Sequence, residues 1–520
     1  MANDMTRRET MMAGMAAGAV AALADGPAEA TKTDTASAPQ WLALLGKSER
    51  GGRDVAPRVE GRIPEALNGS LYRNGPGLFE RGKYRKPHLL DGDGLVQHLS
   101  FADGKAYYRN QFVRTTKFND EAAAGTYKYP TWSMPAPGGF WNNIGGGTSL
   151  SQAGVTVYPF NGKLYAFDEV SPPWTLDPAT LKTEGPKPLG DPSKTYMTKA
   201  HTKFDPATGD WLLAGLSYGR TMQIHAITHG ANGHLKSHQV IESPRQIYLH
   251  DFLATDKHFI FLLQPMMFSP WMMLAGVSSF MECLSWKRSE GNIVMVVPRG
   301  GGNPRFFDAP GAYMWHALNA YEANDEIVAD FVGYDTPDHF VPNTAVLYTI
   351  MDGKMGTQHE PGKLRRYRID LKRGTCREEI VDNGPHEFPM VDPRAALHRH
   401  TVGYMTTGGM AVFNTGIKRF DYESGRATMF DFGPKTVAGE PVFAAAPGGR
   451  ENEGWLISQV LDGNSGKTFF AVLDAHHVED GPVAKLWLEH HLPFSFHGAW
   501  KAALTGGPFS STTLPSGSVT

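Results

Sequence analysis

The segment FDPATGDW (204–211) places an Asp-Pro-Ala-Thr-Gly turn between two apolar stretches. Turns of the same kind recur at LDPATLKTEG (176–185), IDLKRGT (369–375) and FDYESGRA (420–427). Asp, Pro and Gly favour tight turns, and the alternating apolar and polar residues beside them favour β-strands. Turn aspartates from Asp205 to Asp474 recur every 45 to 69 residues, close to the ~40–50 residues of a propeller blade. The pattern therefore predicts an all-β chain folded as a β-propeller.

Composition supports a large folded core and excludes several classes of protein. The chain has 520 residues, of which 41% are hydrophobic, with 50 Lys and Arg against 53 Asp and Glu. A nucleic-acid-binding protein needs a basic surface, so this near-neutral balance argues against nucleic acid as a partner. Two cysteines exclude a disulfide framework and a zinc site built from thiolates.

The N-terminal region is typical of an export signal. Arg7 and Arg8 precede the apolar run 11–23, which is shorter than the ~20 residues that span a bilayer. The arginine pair resembles a twin-arginine signal, although an ordinary secretory signal or a disordered tail remains open. We expect a periplasmic or otherwise exported protein, or a cytoplasmic one if the signal does not function. The expected segments are an export signal at 1–30, a linker at 31–40, the propeller domain at 41–503 and a flexible tail at 504–520.

Four widely spaced histidines lie in apolar surroundings. His201 lies in KAHTKFDP, His250 in YLHDFLAT, His316 in MWHALNAYE and His497 in FSFHGAW. The inner strands of a propeller line one axis, so residues far apart in sequence can meet there. Four neutral imidazoles suit a divalent first-row metal such as Fe, Cu, Zn or Ni. On spacing alone, ordinary buried or surface histidines remain the alternative.

Several longer segments resemble the carotenoid cleavage oxygenases, in that family's order and from about residue 40 to 503. These segments are NGSLYRNGPG (68–77), LLDGDGLVQHLSF (90–101), AHTKFDPATG (200–209), LHDFLAT (249–255), HALNAYE (316–322), EFPMVDPR (387–394), GEPVFAAAP (439–447) and FHGAW (496–500). The resemblance implies a seven-bladed propeller with one axial ferrous ion per chain on His201, His250, His316 and His497. It also implies that three glutamates stand behind three of the ligands, and the matching positions are Glu169, Glu387 and Glu440.

The segment 264–286, QPMMFSPWMMLAGVSSFMECLSW, is rich in methionine and aromatic residues. The resemblance implies an apolar cap of loops and short helices here, over the iron site, with a tunnel for lipophilic substrates. Flexible, polarisable methionine suits such a tunnel, although an ordinary hydrophobic core is the alternative. Contact with a membrane surface through an apolar patch is also open. The expected tunnel residues are Tyr127, Met266, Phe268, Trp271 and Met273.

The function implied by the resemblance is cleavage of a C=C bond in a carotenoid or apocarotenoid by dioxygen, giving two carbonyl products. No catalytic residue beyond the iron centre is expected, and the chain is expected to act as a monomer. Relatives that cleave hydroxystilbenes usually carry a lysine just before the first glutamate, near a tyrosine. Here Asp168 precedes Glu169, while Tyr127 could match the tyrosine. Cleavage of a stilbene or phenylpropanoid, isomerisation, and a propeller that only binds a ligand remain as alternatives.

Overall fold

The computed structural model describes residues 41–503, apart from 342–343, 357–358 and 410–411. The expected export signal at 1–30, the linker at 31–40 and the tail at 504–520 lie outside the described residues. No helix within the described part of the chain is long and apolar enough to cross a membrane.

Strands are the main regular elements of the described chain, and its helices are few and short, as the recurring turns predict. The strands of the first half are β1 (Asp54–Val55), β2 (Arg58–Gly61), β3 (Gly69–Leu78), β4 (Glu80–Arg81), β5 (Tyr84–Arg85), β6 (Asp93–Ala102), β7 (Lys105–Phe112), β8 (Thr156–Phe160), β9 (Lys163–Phe167), β10 (Trp174–Leu176), β11 (Thr183–Pro186), β12 (Met197–Phe204), β13 (Trp211–Ser217), β14 (Gln223–His229), β15 (Leu235–Glu242), β16 (Leu253–Ala254) and β17 (His258–Leu263). The strands of the second half are β18 (Met266–Phe268), β19 (Leu284–Trp286), β20 (Asn292–Pro298), β21 (Arg305–Ala309), β22 (Tyr313–Ala323), β23 (Glu326–Tyr334), β24 (Lys363–Asp370), β25 (Thr375–Asp382), β26 (His386–Met390), β27 (Val402–Thr407), β28 (Gly416–Asp421), β29 (Ala427–Asp431), β30 (Thr436–Ala438), β31 (Val442–Ala445), β32 (Gly454–Asp462), β33 (Lys467–Asp474), β34 (Pro482–Trp487) and β35 (His497–Ala502).

These strands form seven larger antiparallel sheets, which are the blades of a propeller. Blade 1 has the order β1-β7-β6-β3-β35, blade 2 β11-β10-β9-β8, blade 3 β12-β13-β14-β15, blade 4 β16-β17-β20-β21, blade 5 β22-β23-β24-β25, blade 6 β26-β27-β28-β29 and blade 7 β2-β34-β33-β32-β30, with β31 also on β32. The hairpins β4–β5 and β18–β19 stand outside the blades. The seven-bladed propeller expected from the resemblance is confirmed.

Both ends of the described chain close the ring of blades. The C-terminal strand β35 pairs with β3 in blade 1, from Gly69 opposite Ala502 to Asn74 opposite His497. The N-terminal strand β2 pairs with β34 in blade 7. Since each of these blades combines strands from opposite ends of the chain, the ring cannot open without breaking a sheet.

Apolar side chains fill the spaces between neighbouring blades. Ile224 of blade 3 packs with Phe259 and Met295 of blade 4, and all three are fully buried. Ile260 of blade 4 packs in the same way with Ile327 of blade 5. This sheet-on-sheet packing holds the inner strands in fixed positions around the axis.

A cap of loops and short helices covers one side of the metal-ligand candidates. The helices are α1 (Thr116–Ala124), α2 (Phe140–Asn143), α3 (Trp271–Leu274) and α4 (Val346–Thr349). Short 3-10 turns lie at Leu42–Gly46, Leu89–Asp91, Ile144–Gly146, Met281–Cys283, Arg288–Glu290, Ile350–Asp352, Pro393–Ala395 and Val478–Asp480. Cap residues such as Trp132 and Phe340 share one hydrophobic cluster with Trp315 and Phe388, which stack on His316.

Candidate metal centre

Four buried histidines from different blades meet at one point. His201, His250, His316 and His497 each offer a ring nitrogen, and these nitrogens all lie within 4.8 Å of one another. The Nε2 atoms of His201 and His250 are 3.1 Å apart. Among the residues that the structure describes, this is the one group of three or more potential metal-ligating side chains that is close enough to share an ion.

Two of these histidines lie where the pairing register of their strands shifts. The register of β12 against β13 shifts between Thr198 and Thr202, the interval that contains His201. The register of β22 against β23 shifts between Met314 and His316. A bulge bends a strand locally and redirects a side chain, which helps to turn His201 and His316 toward the point that the four histidines share.

Three of the histidines are each hydrogen-bonded to a glutamate through Nδ1. His250 Nδ1 is 2.8 Å from Glu169 Oε1. His316 Nδ1 is 2.5 Å from Glu387 Oε2. His497 Nδ1 is 2.9 Å from Glu440 Oε1. Each of the three glutamates named in the sequence analysis thus contacts one histidine of the cluster.

His201 lacks such a carboxylate partner within hydrogen-bond reach. Its Nδ1 is 3.9 Å from Asp251 Oδ2, too far for a hydrogen bond. Asp251 instead binds Lys203, at 3.0 Å, and accepts from the backbone N–H of Ala317, at 2.9 Å. The cluster therefore has three glutamate-oriented imidazoles and one that is oriented by its strand.

The glutamates are themselves fixed by neighbours that the sequence analysis missed. Tyr248 donates to Glu169 Oε2 at 2.9 Å, and Tyr334 donates to Glu387 Oε1 at 2.9 Å. The buried guanidinium of Arg73 donates to the backbone carbonyl of Glu440 at 2.9 Å. The sequence could have indicated Tyr248, because it precedes the ligand candidate His250 by two residues and residues two apart in an extended strand lie on the same face.

Phe388, the residue after Glu387, has a backbone conformation that is rare for residues other than glycine. Its φ is 50°, in the left-handed region, which costs free energy for a residue with a bulky side chain. In this conformation the Phe388 N–H donates to Glu387 Oε2 at 2.6 Å, and its ring stacks on His316 at 5.1 Å. One residue thus orients the carboxylate and covers the imidazole.

Burial favours the uncharged forms of His201, His250 and His497 by lowering the pKa of each. Desolvation lowers the pKa of His497 to about 4 although Glu440 acts in the opposite direction. Desolvation, reinforced by the other histidines, holds the pKa of His201 well below its usual value. Burial alone would raise the pKa of Glu169, but the Lys199 ammonium and His250 outweigh it and lower that pKa. Neutral imidazoles beside ionised carboxylates are the protonation states that metal ligation requires.

The contacts with the glutamates favour proton positions that suit a cation, because an ionised carboxylate only accepts hydrogen bonds. When His250, His316 and His497 donate their Nδ1 protons to glutamates, each is left with a lone pair on Nε2. Three lone pairs that face each other in a buried space repel unless a positive charge lies between them. These four histidines could therefore bind a divalent metal.

Two spaces adjoin this centre. One of about 20 Å³ touches His250, His316 and His497, and its other walls are apolar or aromatic. The second, which we call the main cavity, has a volume of about 740 Å³. It lies below the cap, and its wall includes Glu169 and Tyr248, the partners of His250.

Three of the five expected tunnel residues line the main cavity. Phe268, Trp271 and Met273 lie on its wall, as does Met267. The prediction for Met266 is wrong, because this side chain is fully buried in the hydrophobic cluster of the cap.

The prediction for Tyr127 is also wrong. Its ring packs against the buried ammonium groups of Lys86, at 4.6 Å, and Lys117, at 5.8 Å. Both lysines are paired with the buried Asp93 under helix α1, so Tyr127 belongs to that charge cluster and not to the cavity wall.

Asp168, the residue before the first glutamate, is occupied by the backbone. Its Oδ2 accepts from the N–H groups of Gln152, at 2.8 Å, and Ala153, at 3.2 Å, while Oδ1 accepts from Val170 at 3.0 Å. A lysine does reach the cavity wall, but from strand β12: it is Lys199. The sequence analysis missed it, although it precedes His201 by two residues.

Comparison with known proteins agrees with this architecture. The chain is 30% identical to the apocarotenoid-15,15'-oxygenase of Synechocystis sp. over 459 residues, which cover 85% of this chain and 92% of the relative. It is 28% identical to the isoeugenol monooxygenase of Pseudomonas putida over 480 residues, covering 85% and 94%. It is likewise 28% identical to lignostilbene-alpha,beta-dioxygenase isozyme III of Sphingomonas paucimobilis over 476 residues, covering 86% and 93%.

Solved structures give the same result. A cobalt-substituted form of the Synechocystis apocarotenoid oxygenase matches with a TM-score of 0.82 and 28% identity, over 89% of this chain and 99% of that one. The model of the family described as "retinal pigment epithelial membrane protein" (RPE65) matches residues 47–502. With the four-histidine cluster at the axis of its seven blades, this chain belongs to the RPE65 family, which includes the carotenoid cleavage oxygenases.

Proposed function

We propose that this protein is an Fe(II)-dependent dioxygenase, with one iron per chain, that cleaves a C=C bond of a carotenoid or apocarotenoid into two carbonyl products. The observation that carries the proposal is the cluster of four histidines, three of them oriented by glutamates, beside a large apolar cavity. The Synechocystis apocarotenoid oxygenase and the plant carotenoid cleavage dioxygenases support this substrate class.

His201, His250, His316 and His497 would hold the ion, and the bound iron would supply the position at which dioxygen is activated. Glu169, Glu387 and Glu440 keep the Nδ1 proton of their histidines in place, so that the other nitrogen faces the ion. These carboxylates also offset the charge of a dication that has only neutral ligands.

The apolar walls serve the substrate and exclude water. Phe388, Phe494 and Phe496 border the small space beside the histidines, and none of them offers a hydrogen bond to water. Phe268 and Met273 give the main cavity a surface suited to a polyene. A polyene in the main cavity would therefore lie beside Glu169 and Tyr248, the partners of His250, while the apolar side chains keep bulk solvent from the histidines.

A phenylpropanoid or stilbene alkene is the second candidate substrate. The isoeugenol and lignostilbene oxygenases are each 28% identical to this chain, against 26% for the carotenoid 9,10(9',10')-cleavage dioxygenase 1 of Arabidopsis thaliana. The cavity also holds a buried lysine, although not at position 168. A propeller that only binds a ligand fits less well, because it would not need four converging imidazoles with three oriented tautomers.

The test is anaerobic reconstitution of metal-free protein with ferrous iron, followed by product analysis. We expect one iron per chain and aldehyde or ketone products from apocarotenoids when dioxygen is admitted. With isotopically labelled dioxygen, and with exchange against water controlled, both carbonyl products should carry the label. Label in only one product would exclude the dioxygenase reaction, and no product from any carotenoid, apocarotenoid or stilbene would exclude alkene cleavage.

We further propose that the protein takes its substrate from a lipid surface. Trp141, Trp271 and Met272 are 81%, 75% and 57% exposed, and Trp271 also lies on the cavity wall. Around the mouth of a lipophilic cavity, such exposed apolar side chains favour insertion into a membrane interface. Wild-type protein should co-sediment with phospholipid vesicles, while Trp141→Glu with Trp271→Glu should remain in the supernatant with unchanged metal content.

Two smaller proposals concern the state of the protein in the cell. We propose that it acts as a monomer and that residues 1–30 direct its export through the twin-arginine route. Fusion of residues 1–30 to a reporter tests the route, because export that survives Arg7→Lys with Arg8→Lys would contradict it. Sedimentation velocity of the purified protein tests the monomer.

A further inference from the structure

A buried ammonium group lies on the wall of the main cavity. The side chain of Lys199 is 4% exposed, and its Nζ is 2.8 Å from Glu169 Oε2. Nζ also lies 4.9 Å from the centre of the Tyr248 ring. Lys199, Glu169 and Tyr248 all line the cavity, so its mostly apolar wall carries a cation on the side nearest His250.

The other polar groups of this part of the wall already have protein partners. The Tyr248 hydroxyl donates to Glu169 at 2.9 Å. The Tyr218 hydroxyl donates to the backbone carbonyl of Ile247 at 2.9 Å. The side-chain amide of Gln152 donates to the backbone carbonyls of the 90–92 segment.

Lys199 differs because an ammonium has three N–H donors. Within the described part of the chain, Glu169 is the one carboxylate that forms an ion pair with it. Neighbouring Asp168 is occupied by three backbone N–H groups. A buried charged donor without an acceptor is costly, so a ligand oxygen at this position would be stabilised.

We propose that Lys199 binds a carbonyl or hydroxyl oxygen at one end of the substrate, so that the enzyme selects oxygenated alkenes over hydrocarbons. The inference rests on the proposed function and names the substrate class of that same cavity. A neutral oxygen suits the position better than a carboxylate, because Glu169 already balances the ammonium and Asp168 lies close by. An aldehyde and a phenol share this chemistry, and the experiment separates them.

Binding is measured without turnover, on iron-loaded protein under anaerobic conditions, through quenching of tryptophan fluorescence. Two pairs of ligands are compared: an apocarotenal with its hydrocarbon analogue, and para-hydroxystilbene with unsubstituted stilbene. In the wild type, the oxygenated member of at least one pair should bind about tenfold more tightly than its partner. The pair that shows this preference identifies the aldehyde or the phenol as the group that is bound.

The variants assign the preference to Lys199. Lys199→Met should abolish it without changing the affinity for the hydrocarbon, and Lys199→Arg should keep part of it. Arg220→Met, which removes an exposed cation from the same wall, is the matched control and should keep it fully. Iron content is measured in each variant, because Lys199 also contacts Glu169.

Two results would overturn the inference. Equal affinities within both wild-type pairs would mean that water, and not substrate, satisfies the ammonium, and this result needs no variant to fold. An equal loss of affinity for both members of a pair in Lys199→Met would mean that Lys199 only positions Glu169. Failure of the proposed function is a separate result, since it appears as absent turnover while the binding preference can still be measured.

Discussion

Glu387 Oε2 lies 2.5 Å from Nδ1 of His316, the shortest of the three contacts between a glutamate and a histidine in the cluster. The same oxygen accepts from the backbone of Phe388, and the other oxygen accepts from Tyr334. These three donors fix the orientation of the carboxylate, and the carboxylate in turn fixes the orientation of the His316 ring.

Replacement of this carboxylate should weaken metal binding without unfolding the protein. For Glu387→Gln we expect a loss of about 10–100-fold in iron affinity, because the amide no longer fixes the tautomer or raises the basicity of His316. Affinity is measured by competition with a chelator. Glu378→Gln, which alters a glutamate paired with Arg365 on an outer strand, should leave it unchanged. Wild-type affinity in Glu387→Gln would contradict the assigned role.

Neighbouring methionines should separate stability from substrate binding. Met266→Ala should lower the free energy of unfolding by about 2–5 kcal/mol, because it opens a void in the cap cluster. Met267→Ala should have a much smaller effect on stability but raise KM, because Met267 lines the cavity. Urea denaturation and steady-state kinetics provide the two measurements. If Met266→Ala raised KM and Met267→Ala lowered stability, Met267 and not Met266 would be the side chain packed in the cap cluster.

A larger side chain at Met273 should change which double bond is cleaved. Met273→Trp narrows the main cavity, so we expect long substrates to be rejected or cut at a different position, with iron content unchanged. Product analysis by mass spectrometry gives the position. Met272→Trp is the control, since Met272 is exposed on the same helix. Identical products from wild type and Met273→Trp would show that Met273 does not determine which double bond is cleaved.

The buried His88 should make stability depend on pH. Desolvation lowers its pKa to about 3, and its Nδ1 accepts from the backbone N–H of Leu90 at 3.0 Å. Below pH ~6.5 the unfolded chain protonates this histidine while the folded protein does not, so stability falls with pH down to about pH 3.

His88→Asn keeps an acceptor for Leu90 and removes the titrating group. Between pH 7 and pH 5 the wild type should lose about 2 kcal/mol more stability than this variant. Urea denaturation at the two pH values measures the difference, and comparison within each protein cancels the cost of the smaller side chain. Parallel losses in the two proteins would show that His88 does not contribute to the acid sensitivity.

The sequence predicted the propeller and the four histidines, because turn aspartates mark blade intervals and each histidine lies in a segment resembling one family. The face of a short strand on which a given side chain lies was harder to predict. Met266 and Met267 differ by one residue, and strand β18, with three residues between loops, leaves the alternation of faces undetermined. Tyr127 was misplaced because its position depends on ammonium groups that fold onto it from Lys86 and Lys117. Lys199 was overlooked because only position 168 was compared with the lysine of hydroxystilbene-cleaving relatives, and Lys199 lies on a different strand, β12.

The closure of the ring by β35 has a consequence for how the protein is made. His497 is the first residue of that strand, so of the four histidines it is the last to leave the ribosome. A nascent chain that has completed six blades presents His201, His250 and His316 but not the fourth ligand, and β3 still lacks its inner neighbour. If the proposed iron site is correct, full-affinity iron binding would require synthesis past residue 497 and closure of the ring, and chains truncated before residue 497 should be recovered poor in iron.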